Sequence, residues 1–67
     1  MTSIDIEKEG TTGIIRVARS EYKGKDLVDV RLFYLDKETG EYMPTRKGIS
    51  ITIDLIPKVI QALTDLQ

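Results

Sequence analysis

Residues 22–35 read Tyr22-Lys23-Gly24-Lys25-Asp26-Leu27-Val28-Asp29-Val30-Arg31-Leu32-Phe33-Tyr34-Leu35. From Lys25 onward the chain alternates with the two-residue period of a β-strand. Val28, Val30, Leu32 and Tyr34 share one face; Leu27, Asp29, Arg31 and Phe33 share the other. Lys23-Gly24 in front of it is a two-residue hairpin signal, with glycine supplying the positive φ that such turns require. An antiparallel partner must therefore precede the turn, and Ile14–Tyr22 supplies it. There Ile15 and Val17 share one face, and Ile14, Arg16, Ala18, Ser20 and Tyr22 the other. The uneven parity predicts a bulge near Ala18–Ser20.

Working outward, Asp36-Lys37-Glu38-Thr39-Gly40 reads as a five-residue hairpin loop. Glu41 to Arg46 is the next strand, and Pro44 confines it to an edge or a bulge. Lys47-Gly48 predicts another turn, followed by a half-buried strand through Ile49, Ile51 and Ile53. Upstream, Ile4 to Glu9 alternates apolar with charged residues and reads as an additional edge strand. Gly10-Thr11-Thr12-Gly13 links it to the sheet. The tail is a helix, with Asp54 preferred as N-cap over Thr52 because Pro57 then lies in the first turn. Its apolar residues form two stripes: Ile56, Ile60 and Leu63, and Leu55, Val59, Ala62 and Leu66. Together they are wider than one sheet needs. One stripe is expected on the chain's own sheet and the other on the helix of a second copy.

The chain has 67 residues, with 40% hydrophobic and 31% charged. It is read as a single domain over 1–67. Apolar burial in so short a chain roughly balances the entropy of ordering it, which points to oligomerisation as reinforcement. There is no cysteine and no histidine. That removes disulfides, thiolate chemistry and the commonest general base and metal ligand. Serines 3, 20 and 50 have no activating base, the glycines are isolated at turns, and no metal-ligand spacing occurs. No catalytic residue, metal or cofactor is expected, and the chain is read as a non-enzyme. No apolar run is long enough to span a membrane, and Met1-Thr2-Ser3-Ile4-Asp5 lacks the features of a signal peptide. A cytoplasmic chain is the expectation.

Net charge is −1, which argues against a generic nucleic-acid binder. Residues 16–47, however, hold eight basic residues against six acidic ones. Single strands are held by cations along their backbone and by aromatic rings on which bases stack. Candidates are Tyr22, Lys23 and Lys25 at the first hairpin, Arg31 with Phe33 and Tyr34, and Tyr42, Arg46 and Lys47 farther on. Each ring also has a purely structural reading: Tyr34 as core, Phe33 as a surface plug.

Tyr22-Lys23-Gly24-Lys25, Leu27-Val28-Asp29-Val30-Arg31, Phe33-Tyr34 and above all Arg46-Lys47-Gly48-Ile49-Ser50 resemble the single-stranded-DNA-binding domain of the transcriptional positive cofactor four family. The likeness covers residues 14–66 and is nearest to small bacterial, YdbC-type members. It implies an α+β fold of the Whirly-like, single-stranded-DNA-binding regulator type: a curved, four-stranded antiparallel sheet, then one C-terminal helix, in a homodimer. Leu55, Ile56, Val59, Ile60, Ala62, Leu63 and Leu66 become the dimer interface. Tyr22 takes the place of the hairpin aromatic and Tyr34 that of the strand-end aromatic, often tryptophan in the family. Lys23, Lys25 and Arg31 take phosphate-contacting roles, Lys47 takes the place of the lysine before Gly-Ile-Ser, and Arg16 and Arg19 fall in the basic first strand of the family. Tyr42 and Arg46 are added as their neighbours. The resemblance places Tyr34 beside Arg31, whereas strict alternation places it with Val28 and Val30. The implied partners are single-stranded DNA, with RNA or melted duplex as variants, a second copy of the chain, and the transcription machinery; no membrane is involved. The rival expectation is a protein-interaction or RNA-binding module of the transcription machinery on the same fold.

Overall fold

The computed structural model describes residues 3–8, 10 and 13–67. Glu9, Thr11 and Thr12, assigned from the sequence to the end of a strand and to a link, lie outside the described residues. The elements are β1 (Ser3–Glu7), β2 (Ile14–Tyr22), β3 (Lys25–Asp36), β4 (Glu41–Thr52), a 3-10 turn (Ile53–Leu55) and α1 (Ile56–Asp65). The four strands form one antiparallel sheet in the order β1-β2-β3-β4. No helix among the described residues is long and apolar enough to cross a membrane.

The β2–β3 hairpin forms as its sequence requires. Lys23 and Gly24 both take positive φ, 52° and 78°, the pair of values a tight two-residue turn needs. Pairing runs without interruption from Tyr22 opposite Lys25 to Ile14 opposite Phe33. The bulge expected near Ala18–Ser20 is absent. The parity is uneven there because β2 buries residues on both faces: Ile14, 3% exposed, on one, and half-buried Ile15 and Val17 on the other. The β3–β4 loop closes as read, with the Gly40 amide donating to the Asp36 carbonyl at 2.7 Å.

Four strands are present, divided differently from expectation. The N-terminal edge strand is one of the four and not an addition to them. The segments 41–46 and 49–53 are one strand, β4, as far as Thr52. Lys47-Gly48 is therefore not a turn. Gly48 lies opposite Arg31 and Pro44 opposite Phe33. β3 thus advances two residues while β4 advances four, and the two surplus residues bulge out opposite Leu32. The polar Thr-Arg-Lys-Gly cluster is absorbed within the strand, and Pro44 sits beside the bulge on an edge strand, where a missing N–H is tolerated.

Directly paired residues share a face, so the register sorts the sheet. One face carries Asp5, Ile14, Arg16, Asp29, Arg31, Phe33 and Ser50. The other carries Ile4, Ile6, Ile15, Val17, Val28, Val30, Leu32, Ile49 and Ile51. Ile14 and Ile51, 3% and 8% exposed, are the most buried of the described residues.

The helix departs from expectation at its start and in its packing. Asp54 is not its cap: Thr52 occupies the cap position of the 3-10 turn without a side-chain bond, and α1 starts at Ile56 with Pro57 in its first turn. The turn rests on β3, and α1 touches mainly the turn. No residue of α1 is buried. Neither apolar stripe is buried: Ile56 in one and Val59 in the other are half-buried, and Leu55, Ile60, Leu63 and Leu66 are exposed.

Candidate nucleic-acid interface

The charged face of the sheet is built around two arginines paired directly across β2 and β3, Arg16 and Arg31. Arg16 donates through Nε and Nη2 to the two Asp5 carboxylate oxygens, at 2.7 and 3.1 Å. Its guanidinium lies 4.6 Å from the centroid of the Phe33 ring, a cation–π contact. Arg31 donates two bonds to Asp29, both 3.1 Å, and a third to the Thr45 carbonyl at 2.9 Å. Ser50 Oγ donates to the same Asp29 at 3.0 Å. Bidentate pairs of this kind fix orientation as well as charge.

The pairs shift one another's protonation. Hydrogen bonds from Arg16 hold the Asp5 carboxyl below its ordinary range. Those from Arg31 do the same for Asp29 against some loss of hydration, with Ser50 adding to the effect. The guanidinium of Arg16 is raised in turn by Asp5, and more weakly by Tyr42, which lies on the same face.

The sequence-derived candidates do not form one cluster. Arg16, Tyr22, Lys25, Arg31 and Tyr42 point to the charged face. Lys23 sits in the hairpin turn with its Nζ 5.3 Å from the Tyr22 ring centroid. Arg46 and Lys47 lie in the β4 bulge. Arg19 and Tyr34 fall on the opposite face. Arg19 there meets Asp26 at 3.5 Å, and Tyr34 is 50% exposed opposite Met43. β3 itself stays regular against β2, so Tyr34 keeps company with Val30 and Leu32 and not with Arg31.

Among the described residues Lys23, Lys25, Arg46 and Lys47 make no ion pair, whereas Arg16, Arg19 and Arg31 each do. Of the sequence-derived candidates, those left available are thus at the hairpin and the bulge. On the apolar face, Lys8 and Lys47 border a shallow depression of about 230 Å³ floored by Ile15, Val30 and Leu32.

Sequence reasoning missed Asp5, Asp29 and Thr45 as parts of this surface. Asp29 was legible, since two residues before Arg31 in a strand is a same-face neighbour. Asp5 needed the β1–β2 register, which no local pattern supplies.

The chain matches the family model described as Transcriptional Coactivator p15 (PC4) over residues 10–62. It is 41% identical over 46 residues to the RNA polymerase II transcriptional coactivator SUB1 of Saccharomyces cerevisiae, covering 69% of this chain and 16% of that protein. It is 51% identical over 37 residues to the RNA polymerase II transcriptional coactivator KELP of Arabidopsis thaliana, covering 55% of this chain and 21% of that one. The chain thus spans only 16% and 21% of the length of these two relatives. Among solved structures, a PC4 homologue from Burkholderia pseudomallei K96243 superposes with a TM-score of 0.82 at 41% identity, over 96% of this chain and 84% of that one.

Proposed function

The chain belongs to the Transcriptional Coactivator p15 (PC4) family, and from that premise we propose that it binds single-stranded DNA as a homodimer, with little sequence preference and without catalysis. The observation that carries this reading is the set of cations Lys23, Lys25, Arg46 and Lys47, which make no ion pair among the described residues, on a sheet that also exposes Tyr22. Lysines without carboxylate partners are free to neutralise phosphates, and an exposed ring offers a stacking platform. Arg16 and Arg31 contribute positive potential from fixed positions and hold the surface in shape. Tyr34 and Arg19, on the other face of the two inner strands, stand apart from this set. The apolar residues of α1, Leu55, Ile56, Val59, Ile60, Ala62, Leu63 and Leu66, close the dimer. Work on exposed single strands during transcription or DNA maintenance, inside the cell, follows from this reading.

A net charge of −1 favours the rival, a protein-interaction or RNA-binding module on the same fold. Fluorescence anisotropy with labelled single-stranded and duplex oligonucleotides at two salt concentrations separates them. Tight, sequence-tolerant binding to the single strand that weakens steeply with salt, as counterion release requires, is the expected result. Absence of binding at low salt, or binding indifferent to salt, would overturn it.

A further inference from the structure

A strand with two surplus residues has many ways to dispose of them. In β4 one arrangement is pinned, and Thr45 is at its centre. The Thr45 hydroxyl donates to the Leu32 carbonyl at 2.7 Å and accepts from the Lys47 backbone amide at 3.1 Å. The Thr45 carbonyl accepts from Arg31 at 2.9 Å. Arg31 is itself held by Asp29, and Asp29 by Ser50. On the far side of Lys47, Gly48 lies so near β3 that a Cβ there would come within 2.7 Å of the Val30 carbonyl oxygen. The backbone is therefore fixed on both sides of Lys47, while the Lys47 side chain stays exposed and, among the described residues, without an acidic partner.

We propose that Thr45 is a positioning residue: through the bulge it holds Lys47 where the ammonium group meets a backbone phosphate of the bound strand. This rests on the function proposed above. The physical gain is preorganisation. A cation carried on a fixed backbone loses less freedom on binding than one carried on a mobile loop. Threonine suits the task because one hydroxyl serves as donor and acceptor together.

The test is a salt series of anisotropy titrations with fluorescein-labelled oligothymidylate. The wild-type chain is compared with Thr45→Val, Thr45→Ser, Lys47→Gln and the Thr45→Val/Lys47→Gln double variant. One phosphate contact on a single strand accounts for about 0.7 of the slope of log K against log salt. Thr45→Val and Lys47→Gln are each expected to lose about that much, the double variant no more than Lys47→Gln alone, and Thr45→Ser nothing. Support requires Thr45→Val to melt as a folded protein by circular dichroism. A wild-type slope in folded Thr45→Val, additive losses in the double variant, or equal losses in Thr45→Ser and Thr45→Val would each overturn the assignment. If Thr45→Val does not fold, amide exchange at Lys47 in the wild-type chain decides, slow exchange supporting the pinned bulge and exchange at the solvent rate overturning it. Failure of the wild-type chain to bind at all appears before any substitution is made and sinks the underlying function instead, taking this inference with it.

Discussion

Gly48 sits where β4 comes nearest to β3. A methyl group there would lie 2.8 Å from both Cα and Cβ of Arg31 and 2.7 Å from the Val30 carbonyl oxygen, closer than van der Waals contact permits. Because most of these atoms are backbone, the strain cannot be relieved by swinging a side chain. Gly48→Ala is expected to destabilise the chain by about 1–3 kcal/mol, the usual range for overpacking, read as a lowered melting temperature. The same neighbourhood carries a pH dependence. Folding depresses the carboxyl of Asp29, chiefly through Arg31, and that of Asp5 through Arg16. A carboxyl depressed by folding contributes stability above its unfolded pKa and loses it as pH falls through the folded one. The melting temperature should hold steady from neutral pH down and then fall below about pH 4, the ordinary carboxylate range. Asp29→Asn should melt lower at neutral pH and show a shallower acid limb in circular-dichroism melts from acid to neutral pH.

Among the elements, β1 has a role that its short, charged sequence does not announce. Its Asp5 occupies the Nε and Nη2 donors of Arg16, donors that the proposed single-strand binding would otherwise turn to a phosphate. Asp5→Asn removes a negative charge from the binding face and releases Arg16. Affinity for a single strand is expected to rise roughly two- to five-fold at low salt, the scale of one exposed ion pair, with the gain shrinking as salt is raised. Unchanged affinity in the same anisotropy assay would remove Arg16 from the binding path. The β2–β3 hairpin, by contrast, was legible because everything that decides it is local: a Lys-Gly turn and clean alternation on either side. The faces of Arg31 and Phe33 followed from the same alternation. What could not be read was non-local. The Lys47-Gly48 dipeptide carries the composition of a turn, and only pairing with β3 shows it to be the end of a bulge. The 3-10 turn that separates α1 from β4 has no periodicity to announce it, and periodicity says which residues share a stripe but not what covers them. The split of Tyr22 and Tyr34 between two faces was already implicit in the parity of β3, against the resemblance.

At the scale of the whole molecule, the uncovered helix dominates. Ile60, Leu63 and Leu66 are 58%, 65% and 86% exposed in the single chain, and the core proper is slight. Apolar surface of this extent on so small a chain is what the proposed homodimer would cover. Replacing Ile60 and Leu63 together with aspartate is expected to give a monomer of lower stability by sedimentation equilibrium. A wild-type chain that is already monomeric at micromolar concentration would remove the helix as an interface. The strand order β1-β2-β3-β4 has a consequence in time as well as in space. Every strand pairs with its neighbour in sequence, so no distant segments must find each other before the sheet gains energy, and closing short loops is fast. The hairpin around Lys23-Gly24 is the natural starting point, with β1 and β4 zipping onto its two sides. In the homodimer proposed above, helix pairing comes afterwards as a bimolecular step. Refolding should therefore show a fast phase independent of protein concentration, followed by a slower one that quickens as the chain is made more abundant.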